Sequence, residues 1–205
     1  MANNYVYILD GKAYVNLTNK CSNACTFCIR NTGDGVKGTP LWLDKEPTAI
    51  DVISAFEKVR DKLASDEVVF CGFGEPTDAM AVLVESAARL KGMGYTLRLN
   101  TNGLGNADNG RDITSELKVF DTVSVSLNQC DAKKYAEVTR SRYEDKAFSF
   151  VLDFAKSCKE RGINTVFTVV DTIDGGDVDR CREIARKMGV PLRVRSYVPD
   201  NYGDN

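Results

Sequence analysis

The 205-residue sequence contains no histidine. That absence removes the residue catalytic zinc sites usually recruit and the usual base of hydrolytic triads. No basic excess exists either: 27 Lys and Arg stand against 29 Asp and Glu, a net charge of −2, which excludes the electrostatic footprint of a nucleic-acid binder. Apolar runs are strand-length, far short of the roughly 20 residues that span a bilayer. The N-terminus lacks a basic stretch followed by an apolar one, so a cytoplasmic chain without membrane contact is expected. Repeats, low-complexity tracts and linkers are also missing, and 205 residues fit one domain with little left for a second.

Cysteine, by contrast, is present seven times, three of them in Cys21-Ser22-Asn23-Ala24-Cys25-Thr26-Phe27-Cys28. An odd number with this spacing does not read as a secreted disulfide framework, but as thiols kept available for a metal in a reducing compartment. Three thiolates on a four-iron cubane leave one iron without a protein ligand, able to bind a substrate directly. The loop alone also permits a closed zinc or iron-sulfur site with four cysteines, completed by Cys71, Cys130, Cys158 or Cys181. Cys158 and Cys181 fall on apolar helical stripes and read as core thiols. Cys71 and Cys130 lie near the carboxyl ends of strands, and Cys130 is a candidate to donate hydrogen or hold substrate.

The chain opens with two β-rich runs, 5–9 and 12–17, around Asp10-Gly11, a pair that favours a two-residue type I′ hairpin turn. Residues 29–47 read as a long loop over the cysteines. From residue 48 onward, helical patterns near 48–64, 78–91, 111–118, 132–140, 145–160 and 177–188 alternate with strands at 67–71, 95–100, 121–127, 164–170 and 192–197. Alternation of this kind implies a parallel sheet with right-handed crossovers. The expected fold is α/β, an open partial (βα)6 barrel with an N-terminal hairpin extension at 1–11, the barrel at 12–199 and a tail at 200–205. Such barrels carry working groups on loops after the strands' carboxyl ends. There lie the cysteine loop, residues 72–76, Asn100 to Gly103, Ser126 to Asn128, Val170 with Asp171, and Tyr197 to Pro199.

At this point the residues resemble the radical SAM enzymes. Cys21, Cys25, Phe27 and Cys28 match that superfamily's C-x3-C-x-aromatic-C loop, and Gly72-Phe73-Gly74-Glu75-Pro76 is similar to its GGEP motif, with Phe73 replacing a glycine. Within the superfamily, residues 15–19, 28–31 and 72–77 look most like the small TatD-associated branch. The resemblance implies one [4Fe-4S] cluster on Cys21, Cys25 and Cys28, with the fourth iron chelating S-adenosylmethionine. Reductive cleavage to methionine and a 5′-deoxyadenosyl radical would follow, with hydrogen abstraction from an unidentified substrate and an electron donor such as flavodoxin or ferredoxin. It further implies Phe27 against the adenine and Gly72 and Gly74 at the methionyl ammonium, with Glu75 either reaching that ammonium or bracing the loop. Ser126 and Asn128 would then sit near the ribose and carboxylate, with Asn100, Asn102, Val170 and Tyr197 completing the ligand site. Gly74 is expected to leave space that the ligand needs, so that Gly74→Val would weaken the S-adenosylmethionine response and spare the cluster. Two other readings stay open: an activase that installs a radical on a partner protein, and a non-catalytic iron-sulfur or zinc protein.

Strand parity points towards the substrate. With the apolar alternates facing helices, Thr122, Ser124, Ser126 and Asn128, Arg98 and Asn100, and Arg193 and Arg195 turn inward. Such barrels usually fill their interior with apolar side chains, so three inward guanidinium groups imply charged ligands: the S-adenosylmethionine carboxylate and an anionic substrate. The competing reading has Arg193 and Arg195 solvating an open sheet edge.

Overall fold

The computed structural model describes residues 3–197. Asp10 and Gly11 both take positive φ, 50° and 74°, the conformation a type I′ turn demands. They join β1 (Val6–Leu9) to β2 (Lys12–Val15) in antiparallel register, with Leu9 opposite Lys12. The expected structureless loop of 29–47 is corrected: it contains a second hairpin, β3 (Gly35–Val36) and β4 (Thr39–Pro40), turned at Lys37 and Gly38 with φ 45° and 73°. Lys37 Nζ reaches Asp10 Oδ1 at 2.8 Å, so the two turns are tied to each other.

Parallel strands then add in chain order. β5 (Glu67–Phe70), β6 (Thr96–Thr101), β7 (Thr122–Ser126), β8 (Asn164–Val170) and β9 (Leu192–Arg195) extend from β2, giving the order β1-β2-β5-β6-β7-β8-β9. With six parallel strands rather than eight, the sheet makes the expected open partial barrel, and β1 is its hairpin extension. The covering helices are α1 (Ala49–Glu57), α2 (Met80–Gly92), the single turn α3 (Gly105–Asp108), α4 (Ala132–Thr139), α5 (Lys146–Glu160) and α6 (Gly175–Met188). Among the described residues no helix is long and apolar enough to cross a membrane.

Two helices differ from their expected extents. Thr48 and Asp51 start α1 with reciprocal capping hydrogen bonds, but the helix ends at Glu57 and a 3-10 turn covers Arg60–Lys62. The chain leaves the helix because Ala64 N donates to Gly11 O at 2.8 Å, which pulls it onto the first hairpin turn. The helix expected at 111–118 is largely replaced by the Asp112 side chain, which accepts from Thr114 N and Oγ1 at 2.9 and 2.6 Å and competes with helical bonds. A 3-10 turn at Glu116–Val119 remains.

Strand parity sorts the side chains as expected. Leu97, Leu99, Val123, Val125, Leu127, Phe167 and Val169 are fully buried with Phe56, Leu83, Leu90, Val151 and Phe154 of the helices. Their polar alternates point the other way. A smaller apolar cluster joins Tyr7, Val36, Leu41 and Phe73, and Trp42 meets Phe73 edge-on with ring centroids 5.0 Å apart. Phe73, the departure from the glycine pattern, thus packs the second hairpin onto the sheet.

Candidate functional site

The cysteine loop follows β2, and the protein's own backbone shapes it. Ala24 N and Thr26 N donate to Thr139 O and Val138 O, both at 2.9 Å, satisfying carbonyls that the end of α4 would otherwise leave unpaired. Ser22 O accepts from Arg142 N at 3.0 Å, and Ser22 Oγ donates to Asp108 Oδ2 at 2.9 Å. On the other side, Asn31 Nδ2 donates to Cys25 O at 3.1 Å and Arg30 Nη1 to Asn19 O at 3.0 Å. Asn19 clasps Leu43 through both amide atoms, and Asn16 Nδ2 donates to Leu41 O, which anchors the segment after the second hairpin.

All three loop thiols face a cavity of about 900 Å³. Its wall collects most residues singled out in the sequence: Phe27, Gly72, Arg98, Asn100, Asn102, Ser126, Asn128, Val170, Arg193, Arg195 and Tyr197. Val198 and Pro199 lie outside the described residues, as does the tail. Cys71 and residues 32–41, from the loop expected over the cysteines, also line the cavity, as do Tyr7, Tyr14 and Asn23, which sequence reasoning did not assign to it. The second hairpin was the missed signal: its turn uses Lys-Gly, without the Asn or Asp that usually announces a type I′ turn.

Three expectations change. Cys130 is buried in the core, its Sγ 3.7 Å from Asp131 Oδ2, and it does not line the cavity, so it cannot donate hydrogen there; Cys71 does line it. At Gly74 a Cβ would lie 2.2 Å from Thr18 O and 2.6 Å from Lys20 O. The glycine therefore makes room for the segment entering the cysteine loop, not for a ligand's volume. Arg98 is also less free than parity alone implied, because its Nη2 pairs with Glu67 Oε2 at 3.1 Å, leaving Arg193 and Arg195 without an ion pair among the described residues.

Glu75 is 4% exposed and braces the site. Its Oε1 accepts from Thr77 N, Thr77 Oγ1 and Thr101 Oγ1 at 3.1, 2.8 and 2.7 Å, and its Oε2 accepts from Asn102 N at 2.7 Å. Burial nonetheless pushes this carboxyl up to about 7, against those four donors. An amide at this position would set its NH2 against at least one of them. Glu75→Gln is expected to lose about 2–4 kcal/mol of unfolding free energy, read from the urea midpoint at unchanged slope.

The donor set fits an iron-sulfur cubane. Burial raises the Cys21 thiol to about 11 and the Cys25 thiol to about 12, so a metal must displace protons to bind them. Asn23, between them and 5% exposed, has neither amide atom in a hydrogen bond of good geometry. Among the described residues no three His, Cys, Asp or Glu side chains converge closely enough for one ion. A cubane distributes its thiolates over separate irons and does not need them to converge on one ion.

Comparison with known proteins agrees. The sequence model of the radical SAM superfamily matches residues 15–188. No curated protein matches the sequence significantly. Among solved structures, Streptococcus suis SuiB bound to S-adenosylmethionine superposes with a TM-score of 0.64 at 17% identity, covering 91% of this chain and 38% of that one. TYW1 with a bound lysine-pyruvate adduct gives 0.61 at 18% identity, covering 91% and 65%. The native form of anSMEcpe with bound AdoMet gives 0.61 at 17%, covering 91% and 51%. The chain thus spans between 38% and 65% of these proteins' lengths, and likeness at such identities speaks for the fold. With the superfamily match running over 15–188, the cysteine loop and the partial barrel have one explanation: the chain belongs to the radical SAM superfamily, whose cofactors are a [4Fe-4S] cluster and S-adenosylmethionine.

Proposed function

We propose that this chain uses S-adenosylmethionine at a [4Fe-4S] cluster on Cys21, Cys25 and Cys28 to abstract hydrogen from a small anionic substrate. The observation that carries the reading is one cavity lined by the three loop cysteines and by Arg193 and Arg195 of the edge strand β9. At about 900 Å³ it lies at the upper end of ordinary ligand sites, which leaves room for a second molecule beside the cofactor.

When bound, the cofactors supply reductive carbon-sulfur cleavage and a 5′-deoxyadenosyl radical, chemistry that no side chain here provides. The chain's residues hold and orient. Cys21, Cys25 and Cys28 would hold the cluster, while Ser126, Asn128, Asn100 and the backbone around Gly72 would present polar groups to S-adenosylmethionine. Arginine forks at 193 and 195 hold a carboxylate or phosphate through paired hydrogen bonds. Residues 34–41 form one side of the cavity wall. An electron donor such as flavodoxin or ferredoxin completes the reaction, and the chain works as one domain. We place it in the TatD-associated branch of the superfamily, on the likeness of residues 15–19, 28–31 and 72–77.

Anaerobically reconstituted protein given dithionite and S-adenosylmethionine is expected to release 5′-deoxyadenosine. Purified protein that holds zinc alone and releases none would favour the non-catalytic metal reading. For the substrate class, small carboxylates and inorganic phosphate should raise the melting midpoint of the S-adenosylmethionine-loaded protein by a few degrees, and Arg195→Ala should remove the rise. No shift with any anion would refute the anionic substrate while leaving the cofactor chemistry standing.

A further inference from the structure

The end of β6 approaches the cysteine loop through one side chain whose polar atoms are all committed. Asn102 is 9% exposed, and its Oδ1 accepts from Leu104 N at 2.8 Å. Its Nδ2 faces Cys21 Sγ at 3.8 Å and Ser22 Oγ at 3.3 Å. Ser22 Oγ gives its own hydrogen to Asp108 Oδ2, so towards Asn102 it can only accept. These partners settle the amide's orientation: turned over, it would set NH2 against the Leu104 amide and leave oxygen facing sulfur. The backbone is held equally firmly, because Asn102 N donates to Glu75 Oε2 at 2.7 Å. Glu75 thereby aims an amide donor at the sulfur of Cys21 without touching the loop's side chains itself.

A hydrogen bond to a ligating sulfur stabilises the more negative, reduced state of a cluster, and does so more strongly where water is excluded. We propose that Asn102 is a positioning residue that raises the reduction potential of the cluster through its N–H donor on Cys21, with Glu75 and Leu104 setting its orientation. The proposal rests on the reading that Cys21 carries the cluster. It assigns a role to the residue type at 102: an amide supplies both the acceptor that Leu104 requires and the donor that sulfur requires.

Two substitutions separate this role from a merely structural one. Asn102→Asp keeps the acceptor for Leu104 and replaces the donor at Cys21 by oxygen; Asn102→Leu removes both. The readout is a potentiometric titration of the reconstituted cluster, followed by its reduced-state spin signal in the absence of S-adenosylmethionine. Both variants are expected to bind iron and to shift the midpoint to more negative values. The reduced-to-oxidised ratio at the wild-type midpoint should fall about tenfold, or about 59 mV for one electron. Asn102→Asp should shift at least as far as Asn102→Leu. Cluster-loaded Asn102→Asp with the wild-type midpoint would overturn the proposal and leave the cofactor assignment intact. Wild-type protein that assembles no cluster would overturn both.

Discussion

Alanine at Cys21, Cys25 or Cys28 is expected to cut bound iron on the order of tenfold or more and to erase the reduced-cluster spin signal, while alanine at Cys71, Cys130, Cys158 or Cys181 preserves both. The contrast follows from position. The three loop cysteines line one cavity, with Cys25 close enough to feel the charge of both others. Cys158 and Cys181 are fully buried on the inner faces of α5 and α6, and Cys130 is buried beside Asp131. Cys71 is the informative control because it shares the cavity. Burial raises its thiol, with Arg195, Asn100 and Arg98 pulling the other way, and it stands on the segment after β5, apart from the loop that carries the other three. Iron lost from Cys71→Ala as well would identify a closed site with four thiolates and end the argument for an open iron.

Gly74→Val is expected to cost about 3 kcal/mol or more of stability and to reduce cluster loading with it. The first atom of any side chain there would press on two main-chain carbonyls, Thr18 O at 2.2 Å and Lys20 O at 2.6 Å, and neither can rotate aside. Relief requires residues 72–76 to part from the segment entering the cysteine loop, breaking the 2.7 Å bond from Glu75 N to Lys20 O. Gly92 is the matched control, since a Cβ there meets nothing within 4 Å and the residue ends α2. Alanine at 92 should be neutral or stabilise by up to about 1 kcal/mol. Chemical denaturation and iron content of the two variants check the pair, and a Gly74→Val protein of wild-type stability would show that the two segments are free to separate.

The architecture was legible because it rests on local signals. Alternation along β6 and β7 separated Leu97 and Val123 from Arg98 and Ser124, and Asp-Gly announced the first turn. What stayed hidden depends on contacts between distant segments. The early end of α1 is set by Gly11 capturing Ala64, a bond spanning two elements that no window of sequence contains. Glu75 read equally well as a ligand contact or a brace, and only the positions of Thr77, Thr101 and Asn102 decide for the brace. Parity revealed that Arg98 turns inward but not that it shares Glu67 of the neighbouring strand with Lys12. The glycines were recognised as sites of close approach, while the approaching partner, protein backbone at Gly74, was beyond what one sequence can tell.

The attachment of the cysteine loop to α4 bears on the order of assembly. Ala24 and Thr26 are held by Thr139 and Val138 through bonds that involve no thiol, so the loop's shape belongs to the polypeptide and not to its iron. In small zinc domains, metal binding must supply the ordering of the chain, and the apoprotein is unfolded. Here that entropy, roughly 1–2 kcal/mol per residue, is already offset when α4 docks, and the protein can fold first and be metallated later. Iron supply would then govern how much of this protein is active without governing how much of it survives.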